Sequence, residues 1–359
     1  MEQKKLILGA EIGEQILALS CHPIDQETVI HETVLLEGTG EEEISEKIKA
    51  FLKKHDLGEQ VKELVYTCEA FSLSKCKKME RFLASQGIGQ GGMRRISREN
   101  AFVHYVMGQE EALHRHTVLL FDFDGQTLME YRLFHPKKKT PKEMKTETKK
   151  IGSFQLIGDS ESLKKRLDQQ FAEAARQLLT KEVVSAVFLT GQGFEGDWMK
   201  ESLKVICDGR RAFFGQNLYS GGCCYYGNKL QKDSSSEYWI QAPETVLYEA
   251  GVLDGAAGDS FVKITEAGSP WYETKGSVDV ILERGNKVDL VFVDAQTQEK
   301  QVESVDLSGI PTRPRKTGRL RITVEFTDSK SGVIFVRDKG FGEFSPATHQ
   351  VFMKEFTLI

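Results

Sequence analysis

Leu307-Ser-Gly-Ile-Pro-Thr-Arg-Pro-Arg-Lys-Thr-Gly-Arg-Leu-Arg-Ile-Thr-Val-Glu-Phe326 is the stretch on which the reading of this chain turns. Its first half is punctuated by Gly309, Pro311, Pro314 and Gly318, residues that favour turns over regular structure. Its second half alternates: Leu320, Ile322, Val324 and Phe326 fall on one face, Arg319, Arg321, Thr323 and Glu325 on the other. That period of two predicts a strand with one buried face. A short turn leads to a second strand, Gly332-Val-Ile-Phe-Val336, followed by Arg337-Asp-Lys-Gly-Phe-Gly-Glu343. Outward from this pair lie further short strands, Ser277 to Leu282, Lys287 to Val293 and Val351 to Leu358. Beyond about residue 245 no helical spacing is seen, so 246–359 reads as an all-β domain.

Upstream the grammar changes to α/β. Strands are expected at Lys5 to Ala10, Ile16 to Ser20 and Thr28 to Leu36, with a turn around Gly13. Glu41 to His55 reads as a helix: Ile44, Ile48, Phe51 and Leu52 share a face, acids fill the first turn and Lys53-Lys54 the last. A strand (Val61 to Thr67), a helix (Ser74 to Ser85) and a loop (Gly87 to Gly92) follow. The order then repeats, with strands His116 to Phe123 and Leu128 to Phe134 flanking Asp124-Gly125. A long helix starts at Ser160, Val183 to Thr190 is a buried strand, and a further helix runs through Trp198, Met199, Leu203 and Ile206. The repetition implies a duplicated α/β domain over 1–245, with halves of about 1–115 and 116–245. Pro136 to Lys150 is lysine-rich and reads as a solvated loop, the alternative being a docking site for an acidic partner. Lys232 to Glu237 reads as a surface stretch.

Composition excludes several classes. With 48 Lys and Arg against 53 Asp and Glu, the net charge of −5 offers no basic field for phosphates, so no nucleic-acid partner is expected. No apolar run is long enough to span a bilayer, so no membrane partner is expected. Met1-Glu-Gln-Lys-Lys lacks a signal peptide's apolar core, and the expected location is cytoplasmic. The six cysteines form no Cys-x-x-Cys pair, and free buried thiols are expected. His104, His114 and His116 read as structural or surface residues.

The β region resembles the peptide-binding domain of the heat-shock-70 chaperones, which carries a similar Leu-x-Gly-Ile-Pro-x-x-Pro-Arg approach, alternating strand and Asp-Lys turn. The α/β region is similar to the actin-like ATPase domain of the same family. Leu8-Gly-Ala-Glu-Ile-Gly-Glu-Gln15 occupies the place of its first phosphate loop and Phe121-Asp-Phe-Asp-Gly-Gln-Thr127 that of its second. Phe188-Leu-Thr-Gly-Gln-Gly193 stands for its adenosine loop, and Tyr66-Thr-Cys-Glu-Ala-Phe-Ser72 for a strand-to-helix turn. Gly221 to Gly227 falls where the family has a small-residue helix, so packing rather than a catalytic cysteine is expected there. The resemblance spans about residues 5 to 345. It implies an actin-like domain of ribonuclease H-like halves followed by a β-sandwich. It also implies a nucleotide cleft formed by Glu11, Gly13, Glu14, Gln15, Asp122, Gly125, Thr127, Gly191 and Gly193, with Glu11 and Asp122 as the carboxylates for Mg²⁺.

The departures from that family set the functional expectation. Glu14 and Gln15 stand where it has two threonines, and Asp124 and Gln126 where it has glycines. An acid about 4 Å from a phosphate charge costs on the order of 4 kcal/mol near a surface, roughly a thousandfold in affinity. The family's catalytic glutamate aligns near Arg98, with Glu99 one place along, and no catalytic residue is assigned. The large insertions that wall the family's cleft are replaced by one helix and the lysine-rich segment. The family's helical lid follows the sandwich, whereas this sequence stops at Ile359, so a peptide would lie in an open groove or along a sheet edge. The expectation is a pseudo-ATPase that binds a protein or peptide partner. The alternative is a minimal ATPase chaperone using ATP with Mg²⁺ and binding extended peptides.

Overall fold

In the computed structural model the residues described are 6–22, 29–38, 40–57, 61–68, 72–135, 142–153, 160–215, 217–231, 238–254, 260–283, 285–311 and 313–359. They fall into two compact units, Met1–Ala242 and Pro243–Ile359. The expectations at Lys5, Thr28, Glu69 to Phe71, residues 136–141 and Lys232 to Glu237 lie outside the described residues.

The first half of the amino-terminal unit holds β1 (Leu6–Ile12), β2 (Ile16–Cys21), β3 (Ile30–Leu35), α1 (Glu41–Lys54), β4 (Val61–Thr67), α2 (Leu73–Ser85), β5 (Gly92–Arg95) and α3 (Arg98–Met107). Its sheet order is β3-β2-β1-β4-β5. The first three strands form an antiparallel meander; β4 and β5 join parallel through helical crossovers, as parallel pairing requires. The second half holds β6 (Thr117–Phe123), β7 (Thr127–Leu133), β8 (Lys142–Ser153), α4 (Glu161–Leu179), β9 (Val184–Thr190), α5 (Glu201–Ile206), β10 (Arg211–Phe214), α6 (Leu218–Gln231) and β11 (Tyr238–Gln241). Its order, β10-β9-β6-β7-β8-β11, repeats the first with one parallel strand, β11, added beside β8. Two copies of this order in one unit define the actin-like duplication.

The alternation of β1 and β6 explains how helices cover both faces. Leu6, Leu8, Ala10 and Ile12 join the core beneath α1 and α2, while Ile7 points to α3 and α6. In β6, Leu119, Phe121 and Phe123 meet α4, while Val118 and Leu120 share the core of α3 and α6. Each such Leu, Ile, Val or Phe side chain contributes about 1.5–3 kcal/mol through burial. Helix α6 lies so close to β1 that a Cβ at Gly9 would strike the Ser220 carbonyl and the backbone of Cys224. The Gly221-to-Gly227 stretch is therefore a packed helix, with Cys223 and Cys224 buried against β1.

Two sequence expectations are corrected. Of the stretch Pro136 to Lys150, read as a loop, residues 142–150 belong to strand β8, paired with β7 along most of its length. Only Met144 is buried among its characterised side chains, so its polar composition masked the strand. The helix expected through Trp198 is shorter: α5 begins at Glu201, and Trp198 instead stacks on Phe194 at 6.1 Å.

The carboxy-terminal unit contains β12 (Tyr248–Asp254), β13 (Ser260–Thr265), β14 (Lys275–Leu282), β15 (Lys287–Asp294), β16 (Lys300–Asp306), β17 (Gly318–Phe326), β18 (Ser331–Asp338) and β19 (Val351–Thr357). They form two antiparallel four-stranded sheets, β13-β12-β15-β16 and β14-β17-β18-β19, whose inward side chains share one core. In β17, Leu320, Ile322, Val324 and Phe326 are buried, and the opposite face carries ion pairs to β14: Arg319 and Arg321 both donate to Asp279. Asp338, fully buried, anchors the turn-rich segment. It accepts both arms of Arg313 at 2.7 Å, the Gly340 amide, and the Thr348 amide and hydroxyl. Burial alone would raise this carboxyl; these donors outweigh it and hold it well below the usual carboxylate range.

Candidate functional site

The ends of β1 and β6 bring two carboxylates into one cleft of about 550 Å³ in the amino-terminal unit. Glu11 is the second-last residue of β1 and Asp122 the second-last of β6, and both are buried. The hairpin turn Gly13-Glu14-Gln15 lines one side, closed by the Gly13 amide donating to the Ile16 carbonyl at 2.9 Å. Thr190 and Gly191, where β9 ends, line another. Gly191 has φ +100°, and a Cβ there would strike the Phe123 carbonyl, so the turn requires glycine.

At the centre lies Arg98. Ser97 caps α3, its hydroxyl accepting the Asn100 amide at 3.1 Å, and this sets Arg98 as the first helical residue. Its Nη2 donates to Glu11 Oε1 at 3.0 Å and its Nη1 to Asp122 Oδ2 at 3.2 Å. The guanidinium also lies 5.0 Å from the centre of the Tyr219 ring, within cation–π range. The Tyr219 hydroxyl donates to the same Asp122 Oδ2 at 2.8 Å. Burial pushes the Asp122 carboxyl up, against the opposing pull of Arg98 and Tyr219. Burial disfavours the Arg98 charge, but Glu11, Tyr219 and Asp122 more than restore it, and its pKa is raised.

The second loop is likewise satisfied from within. Asp124 Oδ1 accepts the amides of Gln126 and Thr127, each at 2.7 Å. Those are the N–H groups that a phosphate-cradling loop would aim at an anion. Here a carboxylate of the chain takes them.

Of the expected residues, Glu11, Gly13, Glu14, Gln15, Asp122 and Gly191 line the cleft. Gly125, Thr127 and Gly193 belong to the same turns without lining it; a Cβ on Gly193 would strike the Gly125 amide and the Phe123 ring, so Gly193 lets the two loops pack. Glu99 is turned to β8, accepting the Thr148 hydroxyl at 2.9 Å, so it is Arg98 that faces the cleft. Tyr219 was missed by the sequence reading; its only signal was its place two residues before Gly221-Gly222 in α6. A divalent cation does not fit the pair proposed for it, since the guanidinium already bonds both carboxylates. Among the described residues no group of three or more His, Cys, Asp or Glu is placed to hold a metal. None of the described helices is long and apolar enough to cross a membrane.

Duplicated sheets with a cleft between their first strands make this an actin-like ATPase-fold protein. Residues 43–242 match the family of unknown function DUF5716, C-terminal. The chain belongs to that family, and residues 253–358 match the domain of unknown function DUF8552. A comparison with curated proteins finds no match. Among solved structures, the chain is similar to component A of (R)-2-hydroxyglutaryl-CoA dehydratase from Acidaminococcus fermentans, with 10% identity, TM-score 0.42, and coverage of 64% of this chain and 100% of that one. It is similar to the activator of 2-hydroxyisocaproyl-CoA dehydratase from Clostridium difficile with bound ADPNP (13%, TM-score 0.41, 64% and 98%). It is also similar to the ethanolamine utilization protein EutJ from Carboxydothermus hydrogenoformans (9%, TM-score 0.43, 62% and 90%). The fold assignment rests on the strand order, and these likenesses carry no argument about activity.

Proposed function

We propose that this chain is a non-catalytic protein-interaction module, a degenerate chaperone-type relative whose actin-like cleft has lost tight ATP binding. One observation carries the reading: Arg98 bridges Glu11 and Asp122, the two carboxylates that would otherwise take Mg²⁺. A bridging metal is what would offset the repulsion between nucleotide phosphates and the acids Glu14 and Asp124. With that position filled by a guanidinium and the Gln126 and Thr127 amides taken by Asp124, both charges that nucleotide binding needs are supplied by the chain. The partner proposed is a protein or an extended peptide, held on a sheet edge or an open face.

A second reading has its own support. A cleft of about 550 Å³ lies within the range of small-molecule sites. Under this reading Arg98 would leave the carboxylates for the phosphates, and the chain would be a minimal Mg²⁺-dependent ATPase chaperone. Titration of the purified chain with ATP and Mg²⁺, by calorimetry and thermal shift, separates the two. We expect neither heat nor shift at millimolar nucleotide; micromolar binding would overturn the first reading.

A further inference from the structure

We propose that Cys76 and Cys68 form a peroxide-responsive dithiol, in which Cys76 is the attacking sulfur and Cys68 resolves it to a disulfide. The pair lies in the first half of the amino-terminal unit and stands independently of the cleft. Cys68 directly follows β4, and Cys76 is the fourth residue of α2, whose cap is the Ser72 hydroxyl. Neither is in a disulfide, and the Cys68 thiol lies beside the Cys76 sulfur in the same buried cluster. Arg95, the last residue of β5, donates Nη1 to that sulfur at 3.4 Å. Tyr66 of β4 stands beside it, with its hydroxyl donating to Glu80 Oε1 of α2 at 2.7 Å.

These neighbours from β4, β5 and α2 define the charge around the sulfur. The first turn of a helix and an adjacent guanidinium both favour a thiolate. The neighbouring Cys68 thiol and the Arg95 contact outweigh burial and bring the Cys76 thiol down to about 6. The other buried cysteines behave oppositely: burial alone pushes Cys21 up to about 11, and burial with Cys21 nearby pushes Cys224 up to about 12. Selectivity for Cys76 thus follows from its surroundings.

The chemistry balances with a peroxide as the co-reactant. The Cys76 thiolate attacks one peroxide oxygen, the O–O bond breaks and hydroxide leaves, so sulfur is oxidised to a sulfenic acid as the peroxide is reduced. The Cys68 thiol then attacks that sulfur; the S–S bond forms, the S–O bond breaks, and water leaves with the thiol proton. A small dithiol returns the pair to the reduced state by exchange. With Cys68 6% and Cys76 1% exposed, the site suits a small neutral oxidant rather than a bulky disulfide.

The test uses the reduced full-length chain treated with hydrogen peroxide, alkylated and mapped by peptide mass spectrometry. The expected product is a Cys68–Cys76 cross-link that dithiothreitol reverses, and in Cys68→Ser a Cys76 sulfenic acid that dimedone traps. Arg95→Gln, checked for folding by circular dichroism, should react at least about tenfold more slowly at pH 7, because a thiol returned toward its ordinary range is only a few per cent ionised there. Oxidation of the exposed Cys207 while Cys68 and Cys76 stay reduced in the wild-type chain would overturn the proposal. So would an Arg95→Gln protein that reacts as fast as wild type.

Discussion

Arg98 is half-buried between two buried carboxylates and cannot be removed without consequence. Deleting one member of a buried charge group leaves the others uncompensated, at a cost of about 3–5 kcal/mol. Arg98→Ala should therefore lose roughly that much stability in denaturant unfolding. It should also gain a Mg²⁺-dependent thermal shift that the wild type lacks, because Glu11 and Asp122 are left facing one another with no cation. A wild-type protein showing the same Mg²⁺ response would mean that the guanidinium does not occupy the site. Glu11, Asp122 and the turn glycines could be singled out only through the family resemblance of the strand-turn segments that hold them. The role of Arg98 was not legible in the sequence: its carboxylate partners lie 87 and 24 positions away, and only the packing of α3 brings them to it.

Among the elements, strands with one wet face announced themselves and buried helices did not. The alternation of β17 reappears residue by residue as burial, with its charged face paired to β14. Helix α3 gave no comparable signal, because Asn100 through His104 are all buried and a helix covered on every side has no polar stripe to set its period. Strand β8 was hidden for the opposite reason, being polar nearly throughout. The element most dependent on a single side chain is the Arg313-containing approach to β17, which Asp338 fastens to the end of β18. Asp338→Ala removes the carboxylate from Arg313, Thr348 and Gly340 together, leaving Arg313 with the Pro346 carbonyl. The carboxy-terminal unit should lose about 3–5 kcal/mol, read as a lower denaturant midpoint for that unit's transition.

For the whole molecule, the two units should respond differently to acid, so no single melting temperature describes the chain. His104 of α3 is buried, and burial, with Lys229 adding, brings its imidazole down to about 3. Unfolded, it takes a proton near pH 6.5. Between those values the unfolded chain binds more protons than the folded one, so stability is whole above pH 6.5 and falls as the pH drops through this window. From pH 7 to pH 5 the amino-terminal unit should lose about 2 kcal/mol from this residue. A His104→Gln variant, compared by denaturant unfolding at both pH values, should show that much less acid sensitivity. Asp338 works in the other unit with a lowered carboxyl, so its contribution persists until the pH falls below its ordinary value near 3.8. The cation in the cleft differs from a bound metal in one further respect, which is permanence. A magnesium ion departs with its nucleotide, and that departure is what lets a motor or a chaperone count time; an arginine is tethered by peptide bonds and cannot leave. In the proposed reading the chain therefore runs without a clock. How long it holds a partner is set by that partner's concentration and its off-rate, whether the cell is rich or poor in ATP.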